Sequence, residues 1–154
     1  MKELIYKHST HSLNYAERCN VNSYSLTIIF LELIFDYDTD SLIGVQGFLP
    51  LLKAERCGIQ IPKSTKGIYQ LTNIDKTKIK KGNIYDYFSV VGASQCDNNK
   101  VKVKYDEKEG IIELDILSTG KDASFITVSK NLVCSVDNTG VLLRVYIKPD
   151  YFTK

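Results

Sequence analysis

Between residues 100 and 117 the chain reads KVKVKYDEKEGIIELDIL, with apolar and charged positions alternating on either side of a polar turn. Val101, Val103 and Tyr105 share one parity, and Lys100, Lys102 and Lys104 share the other. Beyond Glu107-Lys108-Glu109-Gly110, the residues Ile112, Leu114 and Ile116 alternate with Glu113 and Asp115. A period of two is the mark of a half-buried strand. Folding about the turn predicts an antiparallel hairpin that sets Lys104 opposite Glu113, Lys102 opposite Asp115, Tyr105 opposite Ile112 and Val103 opposite Leu114. Each such pair contributes roughly 0.2–1 kcal/mol, and a slip of one residue would exchange the two faces. The charged face is expected to be wet.

Tyr24 to Asp38 is instead apolar on both parities, with Leu26, Ile28, Phe30 and Ile34 on one side and Ile29, Leu31, Leu33 and Phe35 on the other. Such a run is a strand covered on both faces or a buried helix. Its β-branched and aromatic residues favour the strand, and its length predicts a bend or bulge. The Asp-rich turn 36–41 and the return 42–48 then make 24–48 a second, larger hairpin. Pro50 ends it. Residues 51–56 read as a helical turn or covering loop, and 13–18 as a short helix or loop. Further strands are predicted over 67–73, 84–91, 124–129, 132–136 and 141–147, with Gly140 suited to a left-handed turn position and 150–154 a loose tail. The sum is about eight strands with one or two short helices, so the fold class is mainly β, with α+β as the alternative. The expected architecture is an antiparallel meander or sandwich-like sheet in one globular domain spanning 1–154.

Composition narrows the functional classes without choosing one. Hydrophobic residues make up 44% and charged residues 25%, which excludes global disorder. The formal net charge of +2 gives nucleic-acid binding little support. Residues 1–8 carry Glu3 and only a brief apolar run, unlike a signal peptide, and the best apolar segment is half the length of a membrane span and contains Glu32. A cytoplasmic location is expected. Cys19, Cys57, Cys96 and Cys134 are scattered without CxxC spacing, so separate reduced thiols are expected and no metal or cofactor. Ala-Glu-Arg-Cys occurs twice, at 16–19 and 54–57, but the flanking residues do not match.

Asp36, Asp38 and Asp40 imitate the first half of a calcium loop, yet Ser41 and Gly47 stand where an EF-hand needs glycine and a bidentate glutamate. Glu32, inside the apolar run, predicts a bulge, a basic partner or a partly open face. His8 and His11 read as surface histidines. No nucleophile elbow, phosphate loop or dinucleotide fingerprint is present, so no enzyme is expected. Lys76, Lys78, Lys80 and Lys81, with Lys100, Lys102, Lys104 and the tyrosines Tyr85, Tyr87 and Tyr105, outline a phosphate-tracking surface with stacking platforms. Pairing of Lys102 and Lys104 with acids opposes that reading.

The segment 30–54, FLELIFDYDTDSLIGVQGFLPLLKA, resembles the small immunity proteins encoded beside bacterial polymorphic and contact-dependent growth-inhibition toxins. The resemblance rests on an apolar strand, an Asp-rich turn and the return Leu-Ile-Gly-Val-Gln-Gly-Phe. It implies a non-catalytic cytosolic protein that binds one cognate toxin domain. For such a partner, acidic turns beside aromatics are the natural contacts: Asp36, Tyr37, Asp38, Asp40, Tyr85, Tyr87, Asp106, Glu107 and Glu109. The alternatives are a single-stranded nucleic-acid-binding β domain and a small β-barrel that binds a ligand or acts as an enzyme.

Overall fold

The computed structural model describes residues 2–17, 22–92 and 97–154. The elements are β1 (Leu4–Lys7), β2 (Ser12–Tyr15), β3 (Ser23–Ile28), β4 (Leu31–Asp36), β5 (Leu42–Phe48), β6 (Glu55–Arg56), β7 (Thr65–Lys66), β8 (Ile84–Asp86), α1 (Tyr87–Val91), β9 (Lys102–Asp106), β10 (Ile111–Asp115), β11 (Ser124–Ser129), β12 (Leu132–Val136), β13 (Leu142–Ile147) and β14 (Tyr151–Thr153). Two 3-10 turns, Lys76–Lys78 and Asn98–Lys100, complete the set. They build a mainly β molecule of two seven-stranded sheets, ordered β14-β1-β2-β5-β4-β3-β8 and β6-β9-β10-β13-β12-β11-β7. Inward residues of both, such as Leu26, Leu33 and Val45 from one and Ile112, Leu114 and Val145 from the other, join in one core.

The two sheets follow one plan. In each, five antiparallel strands run in the order first, second, fifth, fourth, third, and a short parallel strand closes each edge. The sixth strands are exchanged: β6 follows β5 but adds to β9, and β14 follows β13 but adds to β1. Tyr6 on β1 lies opposite Phe152, and Tyr105 on β9 lies opposite Arg56. The Phe152 ring sits 5.7 Å from Tyr6 and 5.8 Å from Tyr105, and the Arg56 guanidinium lies 4.8 Å over Tyr105. This repeat is unrelated to the two Ala-Glu-Arg-Cys tetrapeptides. The second of these includes β6, whereas the first follows β2 and lies partly outside the described residues, as do Cys19 and Cys96.

The hairpin over β9 and β10 has the register expected from its alternation. Its charged face is not wet. Every residue of β10 is buried, Glu113 and Asp115 included. Residues 57–64 leave β6 at one edge and reach β7 at the other, and Ile59 and Ile61 belong to a small outer cluster with Ile111, Val133, Tyr146 and Phe125. From β6 to β7 is six inter-strand spacings, about 29 Å, which the nine residue steps from Arg56 to Thr65 cover only when nearly extended. Beside this strap Lys104 Nζ meets Glu113 at 3.6 Å and Asp115 at 3.7 Å, while Arg144 bridges Asp115 at 3.5 Å and Asp122 at 2.6 Å. Long basic side chains therefore lie over the carboxylates and exclude water. Lys102, although opposite Asp115 in register, stays exposed.

Other expectations are corrected. The run 24–38 is two strands, β3 and β4, joined by the two-residue turn Ile29-Phe30, so 24–48 is a three-stranded meander. Residues 67–73 make only an isolated bridge at Gln70, after the short β7. The predicted strand 84–91 divides into β8 and α1, because the Asp86 carboxylate accepts the Ser89 N–H and opens a helix that Gly92 closes at φ 68°. Residues 13–15 of the supposed short helix or loop belong to β2, which forms a hairpin with β1, and the supposed loose tail is β14. No helix among the described residues is long and apolar enough to cross a membrane.

Candidate functional site

The acidic turn 36–40 is built inward. Asp36 Oδ1 accepts the Asp38 and Thr39 N–H groups at 2.9 and 3.0 Å, and the Thr39 N–H is the main reason its carboxyl lies below the usual range. Asp40 stands in the left-handed region at φ 59° and takes Lys76 Nζ at 3.0 Å and the Tyr24 hydroxyl at 2.8 Å. Burial first, then the Asp40 hydrogen bond, pushes the Tyr24 phenol up. Tyr37 is half-buried, with Lys76 Nζ 4.2 Å over its ring. Of its three aspartates only Asp38 is exposed, and Asn22 Nδ2 donates to it at 2.7 Å.

The other expected contact residues fare similarly. Asp106 is buried and accepts the Ile59 N–H at 2.9 Å and the Glu109 N–H at 3.0 Å, fastening the strap to the hairpin turn. The Ile59 N–H is the larger cause of its lowered pKa. Glu107 and Glu109 are exposed. Tyr85 is half-buried and its hydroxyl accepts the Lys80 N–H, while Tyr87 is buried against Phe88. Among the described residues no hydrogen bond, ion pair or ring contact joins the 36–40 turn to the 106–109 turn. The lysine–tyrosine platform is dismantled as well: Tyr87 and Tyr105 are core residues, and Lys76 and Lys104 are held in ion pairs.

A different surface is exposed where the β1–β2 turn, the β3–β4 turn and the end of β5 meet. Phe30 is 67% and Phe48 44% solvent-exposed, with ring centroids 6.1 Å apart, and the His11 ring lies 6.2 Å from Phe48. The backbone beneath them is strained. Ile29 has φ 60°, His11 φ 53° and Gly47 φ 113°. A β-branched residue at positive φ is a genuine outlier, and such positions cluster at functional sites. Asn98 holds the turn: its Oδ1 accepts the Ile29 N–H at 2.8 Å and its Nδ2 donates to Asp86 at 3.2 Å. Gly47 is required twice over, by its φ and because a Cβ would stand 3.1 Å from the Phe30 carbonyl oxygen. Glu32 is half-buried next to this glycine, and its carboxylate takes Gln46 Nε2 at 3.3 Å but no cation among the described residues.

Sequence reasoning missed this rim because Ile29-Phe30 contains no turn-forming residue and sits within an unbroken apolar run. Its only prior signal is Glu32, whose partly open face is observed. Among the described residues no three of His, Cys, Asp and Glu are grouped to hold a metal ion. No protein-family model matches the chain, and no characterised protein matches it in sequence.

Proposed function

We propose that this chain is a stoichiometric protein-binding module that captures and neutralises a cognate bacterial toxin domain in the cytoplasm. The observation that carries the reading is the exposed Phe30–Phe48–His11 rim on strained, cross-braced backbone. Aromatic side chains displayed at the surface instead of buried in the core are the usual anchors of protein interfaces, and pre-set turns reduce the ordering cost of binding. Glu32 at the same rim, without a cation partner among the described residues, adds a carboxylate suited to a basic partner. The resemblance over 30–54 implies the same function but carries over no binding residue.

The test is co-expression with the toxic domain encoded by the neighbouring reading frame. Wild-type chain is expected to restore growth and co-purify one-to-one, and Phe30→Ala with Phe48→Ala to lose both. A wild-type chain that gives no protection removes the toxin reading. A double variant that protects fully removes the rim.

A further inference from the structure

We infer that the aromatic rim is a receptor for an arginine side chain of the partner protein, its guanidinium lying on the Phe30 and Phe48 rings and donating to the Glu32 carboxylate. The inference rests on reading the rim as a protein-binding surface, not on the partner being a toxin. Gln46, Glu32 and Thr27 align in register across β5, β4 and β3, and all three are half-buried. Leu31 and Gly47 form the next pair, and just beyond them Phe30 and Phe48 place their rings 6.1 Å apart at 67°. Gln46 Nε2 holds one carboxylate oxygen of Glu32 at 3.3 Å. The other lies 3.7 Å from where a Gly47 Cβ would stand, facing the gap left beside Phe48 by a residue without a side chain. A flat ion that stacks on a ring and donates N–H groups from its edge suits this arrangement, whereas a compact, strongly hydrated ammonium suits it less.

Comparison of the two sheets selects a cation from outside. In the second, Val133 faces Tyr146 between the pairs Leu132–Ile147 and Cys134–Val145, as Glu32 faces Gln46 between Leu31–Gly47 and Leu33–Val45 in the first. Val133 and Tyr146 lie in the cluster that includes Ile59 and Ile61 of the strap, so the chain covers that place itself. The first sheet carries a carboxylate and an amide there instead and leaves both half-exposed. Glu113 and Asp115 of the second sheet have Lys104 and Arg144, but Glu32 has no ion-pair partner among the described residues. Lys7, aligned with Phe48 through Ser12, is three strands from Glu32, about 14 Å. His11, on the Phe48 ring, forms no ion pair with it either. An acidic partner group would be repelled and an apolar one would bury the carboxylate unanswered, whereas arginine answers the charge and the rings together. The fold contains the ring half of this contact in Arg56, whose guanidinium lies 4.8 Å over Tyr105.

The probe is the Nα-acetyl amide of arginine, titrated at matched ionic strength into isotopically labelled full-length protein and followed by amide chemical shifts. The controls are the same derivatives of citrulline, equal in shape without the charge, and of lysine. Shifts at 30–32 and 46–48 are expected to be about threefold or more larger for arginine than for citrulline, with lysine between them. Glu32→Gln should abolish the arginine preference, and Phe30→Leu, at a ring 67% exposed, should reduce it. Glu107→Gln, which removes an exposed carboxylate elsewhere, should leave it unchanged. Equal response to arginine and citrulline, a lysine response as large as that to arginine, shifts centred elsewhere, or a preference that survives Glu32→Gln would each overturn the assignment. No toxin enters this experiment, so it is independent of growth protection. A chain that protects but shows no arginine preference loses this assignment and keeps the toxin reading; one that shows the preference without protecting does the reverse.

Discussion

Two turns in corresponding places of the two sheets separate the cost of a left-handed residue from other effects. Asp40 and Gly140 close the β4–β5 and β12–β13 turns at φ 59° and 88°, and Asp36 and Asp137 each receive the turn's N–H groups. Asp40 is secured there by Lys76, whereas Gly140 relies on having no Cβ. Space around Gly140 and Gly58 is equally open, since a Cβ at either would meet nothing within 4 Å, but only Gly140 has positive φ. Gly140→Ala should therefore cost about 1–2 kcal/mol in urea unfolding, while Gly58→Ala should be neutral or slightly stabilising. The Glu113 carboxyl supplies a second residue-scale test. Burial raises its pKa, with Lys104 opposing and Asp115 adding to the shift. The folded protein thus holds this proton more tightly than the unfolded chain, so the site contributes stability at low pH and loses it as pH rises through the raised value. Relative to wild type, Glu113→Gln should gain stability as pH increases from the ordinary glutamate range to neutrality. A difference independent of pH would mean that the carboxylate pays no burial penalty.

At the scale of elements, what was legible depended on whether a turn announces itself in residue type. Alternation on both sides of Glu107–Gly110 specified the β9–β10 hairpin to the residue, because slipping it would move an entire hydrophobic set. The Ile29-Phe30 turn announces nothing. Its positive φ, normally supplied by glycine, is imposed by Asn98 some seventy residues away, a tertiary constraint that local pattern does not contain. The aromatic rim was hidden for the same reason, and the acidic turns drew attention because Asp marks both solvent and self-capping turns. Terminal position after Pro149 disguised β14, although Tyr151, Phe152 and Thr153 are strand-favouring types; its stability comes from parallel pairing with β1 and from the Phe152 ring between Tyr6, His8 and Tyr105. Phe152→Ala should cost about 2 kcal/mol, below the range for a fully buried ring because Phe152 is half-buried. An unchanged urea midpoint would return 150–154 to the status of a tail.

At the scale of the molecule, exchange of the sixth strands decides whether the two sheets behave as one unit or two. Each sheet is incomplete without a strand from the other half of the chain: β6 covers the edge of β9, and β14 covers the edge of β1. The strap that seals the second sheet's outer face leaves from β6, so releasing that strand also uncovers the cluster around Ile111 and Tyr146. Separating the sheets would further expose a shared core to which both contribute fully buried Leu and Ile side chains, each worth roughly 1.5–3 kcal/mol. A partly unfolded form with one sheet intact would then carry unpaired edges and a bare apolar face, and should not accumulate. The chain contains no tryptophan, so single reporters can be placed in each sheet without background. Phe48→Trp reports on the first sheet and Phe125→Trp on the second. Their urea transitions followed by fluorescence should each coincide with the backbone transition of the same variant, as a two-state unit requires. A reporter that unfolds before its own backbone signal would show that the strand exchange joins two independently stable halves, and the cooperative account of this fold would fall.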